Sequence, residues 1–266
     1  MRTGDLTEEK ELIYIGTVHG DPDGMVLLLQ LLRCENPVHV TVEVSPYGLS
    51  FRQRRGRRLL RLLARRFRRI ACASDFPVKK WGQVQAISTQ IGFPFEYRAS
   101  LRYCRDEGAL LSCLDLSSQS MQLIQGGWEE LISTKNLRIL CQQDPENFKA
   151  RTARAYALAS TLLKEKEAAR SFASVRGWQR DVDWQRREAF LAAGLERRWA
   201  KMERGKLAYV GGWQHLLCGT ECGTLCERLA CLHHRRILLG EYSKASPRSL
   251  NDRLEAGVII NDSIEH

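Results

Sequence analysis

Two histidines follow apolar runs that lie almost two hundred residues apart in the chain, and a glycine precedes each of them at the same spacing. Residues 16–19 have the sequence Gly-Thr-Val-His, and residues 212–215 have the sequence Gly-Trp-Gln-His. Short apolar runs such as 13–15 and 207–210 are typical of buried strands. Glycine permits a sharp turn and the close approach of a ligand. The two elements therefore predict that His19 and His215 lie at the end of a sheet.

A carboxylate is expected at the same edge, because Glu43 ends the alternating run at 38–43. Ligands of open parallel sheets bind beyond the carboxyl ends of the strands. Two imidazoles and one carboxylate are a common ligand set for Zn, Mn or Fe. A metal ion there would activate water and polarise a carbonyl group. Without a metal, His19 or His215 could act as a general base that Glu43 orients; the structural alternative is that each histidine caps backbone groups or fills a pocket.

The elements that must position these residues are those of an α/β fold. A strand at 11–18, a helix at 25–33 and a strand at 38–44 form a βαβ unit, which favours parallel pairing. Further strands are predicted at 109–116, 207–211 and 236–242, and helices near 96–107 and 216–231. Residues 118–205 are rich in Ala, Leu, Glu, Lys and Arg and predict a helical insertion or cap. We expect a single α/β domain over residues 1–266, with a mainly parallel sheet.

The positive charge of the chain has a local origin. The formal net charge is +10 in 266 residues, and ten arginines without any acidic residue occupy the stretch that begins at Arg52 and ends at Arg69. This stretch predicts an amphipathic helix. Its arginines would suit an anionic membrane surface or a polyanion, or a cationic rim for an acidic substrate; alternatively, the helix is solvated and packs its leucines onto the domain. No motif for reading nucleic-acid bases accompanies it.

The number of cysteines and the length of the apolar runs indicate the cellular compartment of the protein. Nine cysteines in a chain of this size favour reduced thiols. No secretory signal or membrane-spanning run is visible, so a cytoplasmic location is expected. The series Cys218, Cys222, Cys226 and Cys231 invites a metal-cluster interpretation. The four-residue spacing of the first three would place them along one face of the helix predicted after His215, where small buried residues explain them equally well.

Several segments, in this order, resemble one family. They are residues 15–19 (Ile-Gly-Thr-Val-His), 37–43 (Pro-Val-His-Val-Thr-Val-Glu), 96–99 (Glu-Tyr-Arg-Ala), 108–111 with Asp115, 187–192 (Arg-Glu-Ala-Phe-Leu-Ala) and 210–216 (Val-Gly-Gly-Trp-Gln-His-Leu). Together they are similar to the TraB/PrgY–GumN–TIKI group. That group is often placed in a wider superfamily with erythromycin esterase and the ChaN haem-binding protein. The similarity covers residues 11–242.

The resemblance implies an α/β fold, a shared site for the histidines and glutamates, and metal-dependent proteolysis, which is the activity of the TIKI members. We therefore expect a metal-dependent hydrolase that acts on a peptide, amide or small-molecule substrate with a divalent Mn, Zn, Co or Fe ion. We expect His19, Glu43 and His215 to bind the metal. Glu43, Glu96 and Arg187 are the expected catalytic residues, with Glu96 as a further ligand or general base. The residues expected to orient the metal ligands or the substrate are Asp115, Arg187, Arg98 and Trp213. The alternatives are a non-catalytic haem- or ligand-binding protein of the ChaN type and a basic interaction module with a vestigial site.

Overall fold

The computed structural model describes residues 10–72, 82–141 and 148–245. Its centre is a five-stranded sheet in which every pair of neighbouring strands is parallel, in the order β3-β2-β4-β1-β5. The strands are β1 (Glu11–Thr17), β2 (His39–Val42), β3 (Leu110–Cys113), β4 (Lys206–Gly212) and β5 (His234–Leu238). The predicted α/β class with a parallel sheet is confirmed.

The central strand β4 brings the two glycine–histidine elements side by side. It pairs with β1 in a register that sets Gly16 opposite Gly211 and Thr17 opposite Gly212. On its other side β4 pairs with β2, where the amide of Glu43 donates to the carbonyl of Val210 at 2.9 Å. Although β1 and β2 are joined by one crossover, they are therefore separated by β4 rather than adjacent. The three predicted ligand positions follow three neighbouring strands.

Helices cover both faces of the sheet in the described part of the chain. On one face, side chains of β1, β2 and β4 pack against the helices that include Leu28, Leu32 and Phe95. On the other face, Tyr14 and Tyr209 pack against the helix that carries Leu191 and Leu195. Both layers are needed because a parallel sheet exposes apolar side chains on its two sides.

The predicted helical insertion is confirmed, since the described residues of 117–201 form five helices and short turns. The helices are α1 (Gly24–Glu35), α2 (Pro46–Phe51), α3 (Arg57–Cys72), α4 (Gly82–Ile91), α5 (Phe95–Glu107), α6 (Ser117–Leu131), α7 (Thr134–Cys141), α8 (Phe148–Lys164), α9 (Lys166–Val175), α10 (Val182–Lys201), α11 (Leu225–Arg228) and α12 (Leu239–Ala245). None of the helices in the described ranges is long and apolar enough to cross a membrane.

Two elements near the end of the described chain differ from the prediction. The helix predicted at 216–231 is reduced to a 3-10 turn at Trp213–Leu216 and the single turn α11. Gly219 and Gly223 between them have φ angles of 77° and 59°, which end right-handed helix. The strand predicted at 236–242 begins earlier, at His234, and stops at Leu238, where the chain continues directly as α12.

The arginine-rich stretch is helical throughout, as predicted. It forms a π-helical turn at Arg52–Gly56 and most of α3. The apolar side of α3 packs Leu63, Phe67 and Ile70 against residues of α4, α6 and α7. The leucine-bearing side is thus part of the core, while eight of the ten arginines are exposed.

Candidate active site

A cavity of about 700 Å³ opens at the carboxyl ends of β1, β2 and β3. Its walls include residues 18–22 after β1, 43–45 after β2 and Asp115 after β3. Helices α5 and α10 add Glu96, Arg98 and Arg187. The cavity therefore lies where the strand-end argument placed a ligand site.

Glu43 is the centre of the hydrogen bonds beneath this cavity. One carboxylate oxygen, Oε1, accepts from Arg187 Nη2 at 2.5 Å and lies 3.1 Å from His215 Nε2. The other oxygen accepts from the amide of Gly212 at 2.6 Å and from the hydroxyl of Tyr209 at 3.2 Å. Burial alone would raise the pKa of Glu43, but the positive charges of His215 and Arg187 outweigh burial and hold it well below its usual range.

His215 is held between two carboxylates. Its Nδ1 lies 2.5 Å from Glu188 Oε1, its Nε2 contacts Glu43, and the ring stacks on Trp184 at a centroid distance of 5.3 Å. Burial disfavours the imidazolium, but the charges of Glu188 and Glu43 dominate and raise the pKa of His215 to about 10. The imidazole is consequently a buried cation near neutral pH.

Glu188 is a site residue to which the sequence analysis gave no role. It is fully buried, and its second oxygen accepts from the amide of Leu225 at 2.5 Å. The signal was present in the sequence: residues 184, 188, 191 and 195 follow helical spacing on the apolar face of α10, and a glutamate interrupts that face. A buried carboxylate needs a charged or hydrogen-bonding partner, and His215 and Leu225 supply both here.

Arg187 is fixed by two carboxylates from different strands. Its Nε donates to Asp115 Oδ1 at 2.8 Å, and its Nη2 donates to Asp115 Oδ2 at 2.9 Å as well as to Glu43. Burial opposes its charge, but the charges of Glu43 and Asp115 raise the pKa of Arg187 further above its usual range. No described residue accepts a hydrogen bond from Nη1. The guanidinium at the cavity wall thus keeps two N–H groups for a ligand.

His19 forms a second imidazole–carboxylate pair on the opposite side of the site. Its Nδ1 lies 2.8 Å from Glu96 Oε1, which also accepts from Thr17 Oγ1 at 3.0 Å. Glu96 is buried, whereas 62% of the His19 side-chain surface is exposed. Loss of hydration opposes the charged ring, but the hydrogen bond and charge of Glu96 prevail and raise the pKa of His19 to about 9.

The three predicted metal ligands surround one glycine. A Cβ atom on Gly212 would lie 3.3 Å from His19 Nε2, 3.6 Å from Glu43 Oε2 and 3.7 Å from His215 Cδ2. However, both nitrogens of His215 already face carboxylates, and both oxygens of Glu43 already accept hydrogen bonds. Within the described ranges, no three His, Cys, Asp or Glu side chains are arranged to hold a metal ion. In this arrangement the donor set does not fit the predicted divalent ion.

Arg98 and Trp213, two of the residues predicted to orient the substrate, have different positions. Arg98 lines the cavity and is exposed. Trp213 is not part of the cavity wall, since its ring packs on Phe172 at a centroid distance of 5.7 Å within the core. The glycine before Trp213 reaches the site, but the chain then turns and directs the indole away from the cavity.

Comparisons of the chain with protein-family models, with curated proteins and with solved structures give no significant match.

Proposed function

We propose that the chain is a hydrolase that cleaves a carboxylic ester or amide bond at the cavity above Glu43. The observation that carries this proposal is the His19–Glu96 pair at the cavity wall, together with the fixed guanidinium of Arg187 at the same cavity. An oriented general base and a positioned donor for the oxyanion are two groups that accelerate hydrolysis of a carbonyl compound.

His19 serves as the general base in this proposal. A carboxylate accepts only, so in the neutral ring Nδ1 carries the proton that is donated to Glu96 and Nε2 carries the lone pair. Nε2 has no hydrogen-bond partner among the described residues. It takes a proton from a water molecule, and the resulting hydroxide attacks the carbonyl carbon of the substrate. The tetrahedral intermediate then breaks its bond to the alcohol or amine, which leaves with the proton returned by His19.

Arg187 stabilises the negative charge that develops on the carbonyl oxygen. Its two bonds to Asp115 and its bond to Glu43 fix the plane of the guanidinium before the substrate arrives. The Nη1 N–H groups then meet the oxyanion without rearrangement, which is how preorganised donors lower a barrier. Glu43 and Asp115 act as positioning residues through Arg187.

Two further arginines in the cavity wall favour an anionic substrate. Arg52 and Arg98 line the cavity, and neither forms an ion pair with an acid in the described part of the chain. Arg52 donates instead to the neutral carbonyl of Gly92 at 3.0 Å. A substrate that carries a carboxylate, such as the end of a short peptide or an acylated amino acid, would supply the missing charge.

Hydrolysis of chromogenic esters and anilides, with and without a substrate carboxylate, tests the proposal. Replacing either His19 or Glu96 with glutamine should lower kcat by about 10²- to 10⁴-fold, since this is the usual contribution of a general base. His233→Gln is the matched control, because His233 is exposed, and it should keep wild-type activity. Wild-type protein without activity on either class, or equal rates in all variants, would contradict the proposal.

Chelation decides between this mechanism and the metal-dependent hydrolysis predicted from the sequence. Hydrolysis by side chains alone should persist after dialysis against a chelator, with unchanged kcat. Loss of activity that Mn, Zn, Co or Fe restores, accompanied by stoichiometric metal on the protein, would instead assign His19, Glu43 and His215 as ligands and require Glu43 and His215 to separate.

A further inference from the structure

Outside the cavity, two cysteines of the predicted series approach each other closely. Cys218 Sγ and Cys226 Sγ are 2.6 Å apart, only slightly farther than the roughly 2.05 Å of a disulfide bond. Cys218 follows the 3-10 turn that carries His215, and Cys226 belongs to α11. The turn that replaces the predicted helix brings them together, because Gly219 and Gly223 reverse the chain between them.

The two thiols differ in exposure and in electrostatic surroundings. Cys218 is half-buried, whereas Cys226 is fully buried. A hydrogen bond from Cys226 and the nearby charge of Arg236 lower the pKa of Cys218 to about 7, in spite of partial burial. The same pairing raises the pKa of Cys226. The accessible thiol is therefore the one that ionises first, which is the asymmetry of a nucleophile and its resolving partner.

A histidine stands next to the buried thiol. His234 Nδ1 lies 2.8 Å from the carbonyl of Leu232, and because a carbonyl only accepts, Nδ1 carries the proton of the neutral ring. His234 Nε2 therefore has the lone pair, and it lies 3.7 Å from Cys226 Sγ. Tyr14 packs edge-on against this imidazole, and its buried hydroxyl has no partner among the described residues. The buried thiol thus has a base beside it.

We propose that Cys218 and Cys226 form a redox-active dithiol that exchanges with low-molecular-weight disulfides, with His234 as the base for Cys226. The Cys218 thiolate attacks one sulfur of the small disulfide, and the other half leaves as a thiolate that takes up the proton from Cys218. Cys226 then gives its proton to His234 and attacks Cys218 Sγ, which releases the second half as a thiol after that proton is returned. Two protein thiols become one disulfide, and one small disulfide becomes two thiols.

The cross-link would close a short loop beneath the candidate active site. The amide of Leu225 donates to Glu188, which in turn holds His215, and Thr224 Oγ1 donates to the carbonyl of Leu217 at 2.6 Å. A bond between positions 218 and 226 would fix this loop against α10. The proposal does not depend on hydrolytic activity, because it concerns the thiols alone.

Alkylation in buffers of defined small-thiol to small-disulfide ratio, followed by peptide mass spectrometry, tests the proposal on the full chain. Oxidising buffers should yield a peptide pair that joins Cys218 to Cys226 and has lost the mass of two hydrogen atoms. Cys226→Ser should retain the small thiol on Cys218 as a stable mixed disulfide. Cys231→Ser is the control, because Cys231 is exposed and belongs to the same series, and it should form the cross-link normally.

The variant His234→Gln distinguishes a redox-active dithiol from two thiols that are close but do not react as a pair. It should accumulate the mixed disulfide on Cys218 and slow the appearance of the cross-link by at least tenfold, while the first step keeps its rate. The proposal is overturned if no Cys218–Cys226 peptide forms at any buffer ratio. It is also overturned if the small thiol is trapped on Cys226 in Cys218→Ser as readily as on Cys218 in Cys226→Ser.

Discussion

At the scale of single residues, the candidate site is a chain of alternating charges. Asp115, Arg187, Glu43, His215 and Glu188 follow one another through hydrogen bonds of 2.5 to 3.1 Å. The three inner ions each lie between two opposite charges, and each ion at an end of the chain has one opposite charge and one backbone N–H donor, as buried ions require. Neutralising one member leaves its neighbours uncompensated, so substitutions in this chain are expected to affect stability and activity together. His19 and Glu96 form a separate pair and can be tested without that complication.

The pH dependence of hydrolysis should report the pKa of His19. The base acts in its neutral form, and Glu96 raises the pKa of the imidazole to about 9. Below that value, kcat/KM should fall about tenfold for each pH unit, and above it the rate should level off. Glu96→Gln removes the charge that stabilises the imidazolium and should shift the midpoint toward lower pH. A profile that decreases above pH 9 would show that His19 acts as an acid instead.

Glu188 should be a stabilising residue rather than a catalytic one. Glu188→Gln keeps the size of the side chain but removes the charge opposite His215, which is buried. Breaking a buried ion pair costs about 3–5 kcal/mol, so the free energy of unfolding in urea should decrease by roughly that amount. Glu196→Gln is the matched control on the exposed side of the same helix and should change it by less than about 0.5 kcal/mol.

At the scale of elements, strands could be predicted from the local pattern of apolar residues. The extent of a helix could not be predicted where glycine turns interrupt it. The runs at 11–18, 38–44, 109–116 and 207–211 contain strands because apolar and β-branched residues fill both faces of a parallel sheet. The prediction of a helix at 216–231 was wrong over most of its length, because glycines within the segment interrupt the right-handed helical backbone. Glycines at 219 and 223 adopt positive φ there, and two glycines four residues apart were the signal against a helix.

The exposed arginines of α3 should bind anionic membranes through charge. Exposed arginines project from α3 while its apolar side is packed in the core, so binding should be superficial and sensitive to salt. Arg61→Glu, Arg65→Glu and Arg68→Glu together should abolish sedimentation with vesicles that contain an anionic phospholipid. The same change of charge at the exposed residues Arg180, Arg197 and Arg204 is the control and should leave most binding. Equal loss in both variants would mean that only net charge matters.

At the scale of the whole molecule, the site depends on pairing between distant parts of the chain. β4 lies between β1 and β2, so residues 17, 43 and 212 meet only after the central strand is in place. Sequence patterns are local and do not encode the order of strands, so the crossover between β1 and β2 did not indicate that β4 lies between them. The common site of His19, Glu43 and His215 was nevertheless predictable, because every strand of a parallel sheet ends at the same edge. The positions of Glu188 and Cys226 could not be predicted in this way, because they depend on how helices and turns pack over that edge.

The stability of the whole fold should decline at alkaline pH because of His215. Its pKa is about 10 in the folded chain and 6.5 in the unfolded one. A raised folded pKa contributes stability that is complete below pH 6.5 and is lost as the pH rises through 10. Between these limits the folded state binds one more proton at this residue, so the free energy of unfolding should decrease by about 1.4 kcal/mol per pH unit. Urea unfolding from pH 7 to 9.5 measures this slope. His19, whose pKa is also raised, adds to this slope in the wild type below pH 9, so His19→Gln measures the contribution of His215 alone. Glu188→Gln should flatten the slope further, and a slope of zero in His19→Gln would mean that His215 is neutral between its two carboxylates.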